Sequence, residues 1–404
     1  MKKIVSLLTV VFICLMSFQP VSAWSMDISL HSQYAYLYDR ETSLVYLDKK
    51  SNEKIFPASM TKILTVSLAL DKIKNLQQTV TIVEADLAGL KEMQATVAGF
   101  YAGEKVTYED LIYGALLPSG ADACNALARL TYGSLEKMVS AMNQKGLALG
   151  LKNSHFMNVT GLHDEQHYTT THDMALILND ALKNQAFVKV FEARKHTSSK
   201  ANHQWISSLQ RGKEYKNIDI SHIDGGKSGF TDEAQLTFAS TMTIDDHQLI
   251  LVTAYAKGQY SQNHVQDAVS VYQYMNEHFH KIIIYKKDQE IQNYWITKSL
   301  SFQYHQKALQ EVSFLAEQSM TASSLDIQIE APSLLKAPIQ KGEQLGRVIV
   351  QYQGQTLYEY QLTATQSIES SFMGMLLYYC IVFVLPMFVV ILMVYLILRR
   401  KKRT

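Results

Sequence analysis

The 404-residue chain is 47% apolar and 19% charged, long enough for two domains with real cores and too apolar to be disordered. Its formal charge is +1, but Lys2, Lys3 and the five basic residues at 399–403 lie in terminal segments without acids; setting those seven aside leaves −6, which argues against a general nucleic-acid role. Of three cysteines, Cys14 and Cys380 fall in apolar terminal segments and Cys124 stands alone between them, so no disulfide staples the body of the chain.

The first 23 residues combine Lys2-Lys3, an apolar run from Ile4 to Phe18, and Val21-Ser22-Ala23, the pattern of a cleavable secretory signal. An uncleaved N-terminal anchor is the other reading, and the run is short for a span. From Ser371 to Leu398 there is no charge, and Arg399 to Arg403 follow. That predicts one transmembrane helix over 371–398 with a basic cytoplasmic tail at 399–404, placing residues 24–370 outside the cell membrane. Pro386 is tolerated within the span.

In chain order, Tyr34 to Leu47 places aromatic and branched residues around the polar stretch Asp39-Arg40-Glu41-Thr42-Ser43, which predicts a hairpin. Pro57 closes the lead-in. Met60, Ile63, Leu64, Leu68 and Leu70 then recur at helical spacing, predicting a buried helix from near Ser59. Ser59 and Lys62 share a face of that helix. A serine hydroxyl is a poor nucleophile until a base takes its proton, and a lysine serves if burial or a second cation keeps its amine neutral. The two are a candidate nucleophile and base.

Thr79–Ile82 reads as a short strand, and Thr107 as the cap of a helix that runs to Pro118-Ser119-Gly120. Another apolar helix starts at Ala121, so Ser119 lies on a loop, where it either points into a cleft or caps the next helix. Helices are expected at 138–149 and 173–182. His163, His167 and His172, with Asp164 and Asp173, offer metal-ligand types, but Gly161 and the threonine run 169–171 mark a loop; they are read as solvated histidines, with no metal. Asp224 to Thr231 sets Lys227 and Ser228 among glycines, a place for backbone and donors to meet an anion, or else a plain hairpin strand. Strands at 236–241 and 249–255 and a helix at 265–279 complete a domain over 24–280. Short alternating segments at 282–285, 294–297, 325–329, 348–352 and 357–361 predict a small antiparallel β domain over 281–368.

Three elements stand in order: Ser59-x-x-Lys62, Ser119-Gly120-Ala121 and Lys227-Ser228-Gly229. With Asn158-x-x-Gly161-Leu162 and Pro338 to Gly346, they resemble the D-alanyl-D-alanine carboxypeptidases among the low-molecular-mass penicillin-binding proteins, over roughly residues 30 to 350. The resemblance implies an α/β fold: an antiparallel sheet flanked by helices with an all-helical lobe, then the β domain and the C-terminal transmembrane helix. It implies removal of the terminal D-alanine from peptidoglycan stem peptides through an acyl-enzyme, which limits cross-linking, together with covalent binding of β-lactams and no cofactor. By position, Ser59 is the nucleophile, Lys62 its base and Ser119 a proton relay. Lys227, Ser228 and Thr231 take the substrate carboxylate, and the backbone N–H groups of Ser59 and Phe230, beside Gly229, form an oxyanion hole.

Two departures matter. Ala121 stands where the family carries asparagine, and Asn125, one turn on, is the expected replacement. No arginine occurs between Arg211 and Arg347, where relatives carry a carboxylate-gripping one, so Lys227 is expected to act more alone. Ala121 keeps open a second reading, a catalytically weak penicillin-binding or wall-scaffolding protein. A β-lactamase is disfavoured because Glu-x-x-Leu-Asn is absent.

Overall fold

The computed structural model describes residues 24, 26–200 and 202–401, so the expected leader lies outside the described residues. A five-stranded sheet runs in the order Val45–Lys49, Ser32–Asp39, His247–Ala256, Gln235–Ile244, Gly225–Thr231, with every neighbouring pair antiparallel. The first hairpin therefore joins strands from more than two hundred residues later: Ser32 pairs with Ala256 and Asp39 with Leu249.

Strand periodicity of two divides the sheet's side chains between two cores. Leu37, Tyr46, Phe238, Leu249 and Leu251 pack with Val265, Val271 and Tyr272 of the helix Asn263–His278. Tyr36, Tyr38, Ala239, Ile250 and Val252 face the opposite way, into a helical lobe. At the centre of that lobe lies the helix Thr61–Lys72, buried at every position from Thr61 to Leu70. Around it stand Tyr108–Leu116, Ala121–Tyr132, Leu135–Ala148, Thr171–Ala181 and Gln185–Phe191. The expected cap at Thr107 forms: its hydroxyl accepts from Asp110 N at 3.0 Å, and the Asp110 carboxylate accepts from Thr107 N at 2.9 Å.

The C-terminal β region is larger than its sequence pattern indicated, since Gln303–Lys307, Val312–Glu317 and Leu334–Lys336 are also strands. It is also not purely antiparallel: Glu290–Thr297 pairs antiparallel with Gln303–Lys307 but parallel with Leu334–Lys336. Its core continues into that of the first sheet, where Phe314, Val348 and Leu362 join Leu37 and Tyr46. The Tyr46 hydroxyl donates to the Leu315 carbonyl at 2.9 Å, and His247 lies between Asp39 (2.6 Å) and Ser313 (3.0 Å). The chain ends in an apolar helix, Phe372–Arg399, 28 residues long.

Candidate active site

Ala58–Met60 forms a single 3-10 turn that feeds the Thr61 helix, so Ser59 sits just ahead of the regular helix. The Lys62 amine donates to Ser59 Oγ at 2.9 Å and to the Thr160 carbonyl at 2.6 Å. Burial pushes the Lys62 pKa below the ordinary lysine value, against the opposing influence of Cys124 and Asp122. A neutral amine at this distance can accept the serine proton.

The Thr160 carbonyl is held in place by Asn158. Its Oδ1 accepts from Thr160 N (3.1 Å), Thr160 Oγ1 (3.0 Å) and Gly161 N (2.7 Å), and its amide donates to Leu162 O at 2.9 Å. Thr65, three residues after Lys62, donates to Val159 O at 2.7 Å, so one helix face is stitched to this turn twice. Gly161 has φ +82, and a Cβ there would fall 1.8 Å from the Ala58 carbonyl oxygen. Only glycine lets the turn lie this close to the serine.

His167 corrects the reading of solvated histidines. It is buried, its Nδ1 accepts from Met157 N at 3.2 Å, and its Nε2 therefore donates to Thr61 Oγ1 at 2.9 Å. Burial lowers its pKa to about 4, so it is a neutral peg beneath the Ala58–Met60 turn. His163 packs instead on the Phe56 ring at the cleft edge, near Glu165 and Glu233, and His172 lies beside Asp173. The three histidines do not converge.

Opposite Lys62, the Lys227 amine donates to Ser119 Oγ at 3.0 Å and to the Ser228 carbonyl at 2.7 Å. Burial drives the Lys227 pKa well below its ordinary value, and the charges of Lys62 and Arg211 add to the shift. Ser119 holds a left-handed backbone, φ 71, between Pro118 and Gly120. Such conformations are uncommon outside glycine and concentrate at functional sites. Gly225–Thr231 is the sheet's edge strand, and a Cβ on Gly229 would stand 2.7 Å from Ser59 N. The glycine thus brings the strand against the serine. Ser59, Lys62, Ser119, Ser228, Gly229, Phe230 and Thr231 share one cleft of about 590 Å³.

Asn125 does not stand in for the missing asparagine. Its amide donates to the Asp86 carbonyl at 3.1 Å, and the residue is outside the cleft lining, where Ala121 presents only its methyl group. One helical turn carries Asn125 along the helix rather than into the cleft. Asp122, next to Ala121, fastens the cleft wall: its carboxylate accepts from the backbone N–H groups of Ala98, Gly99 and Phe100 at 2.7, 3.0 and 3.1 Å.

Sequence reasoning missed two cleft residues. Arg211, on the helix Ser208–Lys216, lines the cleft and has no carboxylate partner among the described residues, so Lys227 is not the only basic side chain near this end. His264, at the start of the helix Asn263–His278, also lines it; both ring nitrogens are buried without a hydrogen-bond partner, and burial lowers its pKa to about 4. Arg211 carried one signal, as the last arginine before a long gap. His264 carried none, because only the fold brings that helix start beside Lys227.

Residues 20–258 match the family model described as D-alanyl-D-alanine carboxypeptidase, and residues 279–370 match the penicillin-binding protein 5 C-terminal domain. The chain belongs to the D-alanyl-D-alanine carboxypeptidase family, serine-type peptidases of the penicillin-binding protein type. It is 28% identical to the D-alanyl-D-alanine carboxypeptidase DacF of Bacillus subtilis over 92% of this chain and 96% of that one. With the carboxypeptidase DacA of Escherichia coli the identity is 25%, over 85% of each. Among solved structures, penicillin-binding protein 5 from Haemophilus influenzae superposes with a TM-score of 0.75 at 22% identity, over 86% of this chain and all of that one, and so shares the fold.

Proposed function

We propose that the chain removes the terminal D-alanine from peptidoglycan stem peptides by way of an ester on Ser59. The observation that carries this reading is the buried Lys62 amine, its pKa lowered, 2.9 Å from the Ser59 hydroxyl. Lys62 takes the Ser59 proton as Oγ attacks the penultimate carbonyl, and the backbone N–H groups of Ser59 and Phe230 receive the developing negative charge. Ser119, hydrogen-bonded to Lys227, passes a proton to the departing D-alanine amine. Water then hydrolyses the ester. The Ser228 and Thr231 hydroxyls take the terminal carboxylate with Lys227, which is buried outside the cleft lining and reaches the site through Ser119, and Arg211 shares that task from the cleft wall. Penicillin acylates the same serine. The leader at 1–23 directs the chain across the cell membrane, and the apolar helix after Ser371 then holds the catalytic domain, 24–280, and the β domain, 281–368, on its outer side.

The test is D-alanine release from a pentapeptide ending in D-Ala-D-Ala by the full chain in detergent, beside Ser59→Ala. Release should vanish in the variant. Wild-type protein that is labelled by penicillin yet releases nothing would favour the wall-scaffolding reading that Ala121 motivates.

Two further outcomes follow from the geometry. Acylation needs Lys62 neutral, so its rate constant should rise with pH through the lowered lysine pKa and level off above it. A rising limb centred near the ordinary 10.5 would contradict a base prepared by burial. Arg211→Ala should raise KM for the pentapeptide about ten-fold or more, the loss of one charge-assisted contact, with a smaller change in kcat. An unchanged KM would remove Arg211 from carboxylate recognition.

A further inference from the structure

The three-stranded sheet of Gln303–Lys307, Glu290–Thr297 and Leu334–Lys336 buries Tyr294 and Ile296 on one face but leaves large apolar side chains exposed on the other. Trp295 is 58% exposed, and its partner on the neighbouring strand, Leu334, is 56% exposed. The turn beyond adds Leu300 at 68% and Phe302 at 52%. Solitary exposed apolar residues need no explanation, but four at one end of a sheet do.

That end of the sheet is fastened to the start of the C-terminal helix. Ser371 N donates to the Lys298 carbonyl at 2.8 Å, and a Cβ on Gly374 would lie 2.5 Å from the Ser299 carbonyl oxygen, so helix and turn meet backbone to backbone. The Lys298 amine stands 5.2 and 5.3 Å from the ring centres of Tyr378 and Tyr379, and Lys336 stands 6.0 Å from Tyr378.

Helix length sets the level of this contact. At 1.5 Å per residue the 28 residues of Phe372–Arg399 span about 42 Å, whereas a hydrocarbon core is about 30 Å thick. With the basic end held at the far surface, roughly the last 20 residues fill the core. Tyr378 and Tyr379 then fall at the near interface, where tyrosine is favoured.

We infer that this end of the sheet is itself a membrane-contact surface, with Trp295, Leu300, Phe302 and Leu334 entering the headgroup region and Lys298 and Lys336 meeting lipid phosphates. The inference rests on the anchoring role proposed for the helix. Trp295 has the amphipathic ring suited to that depth, and the two lysines hold their amines near the tyrosine rings, at the polar level. The β domain is thus seated on the bilayer at two points rather than suspended from one.

The full chain is reconstituted in nanodiscs made with lipids brominated near the headgroup end of the acyl chain, and tryptophan quenching is measured. Trp24 and Trp205 are buried, so they supply a constant background. Quenching is expected in the natural chain and should disappear in Trp295→Phe, while Leu300→Ser with Phe302→Ser should reduce it at least about two-fold. Incorporation into nanodiscs without any quenching assignable to Trp295 would overturn the contact surface and leave the anchor standing. Failure to incorporate would overturn the anchor and the contact together.

Discussion

A Lys62→Met enzyme is expected to be acylated by penicillin at least about a hundred-fold more slowly than the natural chain, the low end of what a positioned base contributes. Methionine matches the stem of lysine, so the helix should still pack. The Thr160 carbonyl loses its donor at 2.6 Å, a cost of about 1–3 kcal/mol, while relief from burying an amine works the other way. The thermal midpoint should therefore move by only a few degrees. Rapid-mixing kinetics with a fluorescent penicillin reads the rate, and calorimetry reads the fold. Acylation at the natural rate by a folded Lys62→Met chain would transfer the base role elsewhere, with Lys227 the next amine to test.

Gly161→Ala should be nearly as damaging, for a different reason. A methyl group at this position meets the Ala58 carbonyl oxygen at 1.8 Å, on a residue whose φ of +82 already disfavours a side chain. Either the turn or the Ala58–Met60 segment must move. We expect a loss of more than about 3 kcal/mol of stability, in the range kept for buried clashes and strained backbone, and acylation slowed about a hundred-fold as the Thr160 carbonyl leaves Lys62. Gly150 supplies the control: its φ is +73, but a Cβ there meets nothing within 4 Å. Gly150→Ala should therefore show the backbone cost alone, about 1–2 kcal/mol. Equal behaviour of the two variants in thermal melts would mean that contact with Ala58 carries no weight.

Much of the cleft was legible because its parts are local in sequence. Ser59 and Lys62 are a helical turn apart and Lys227 to Thr231 lie on a single strand, so each group was legible as a local unit, while the resemblance rather than spacing joined them in one site. The pairing of Lys227 with Ser119 was not legible, since it spans 108 residues and depends on which face of the sheet the loop covers. Asn125 was misjudged for a related reason: being on the same helix face does not decide what that face meets, and here it meets the Asp86 carbonyl. His167 looked like loop and is loop, yet it is buried, because Met157 N and Thr61 Oγ1 satisfy both ring nitrogens. In the β region, Gln303–Lys307 was overlooked because polar residues dominate it, and its strand character comes from pairing with Glu290–Thr297.

The placement of Ser32–Asp39 has a consequence for how the molecule is made. Its two neighbours in the sheet are Val45–Lys49 and His247–Ala256, and the second of these emerges from the ribosome roughly 220 residues after Ser32. Until then the hairpin is a two-stranded ribbon, marginal in water, with one long side open to any strand of another chain. The sheet closes only when the third quarter of the polypeptide arrives. Such late closure would keep a nascent chain threadable, as the export proposed above would require. It also makes the interval between synthesis of the hairpin and closure of the sheet the time when this chain is most open to aggregation, and when a holding chaperone would matter most.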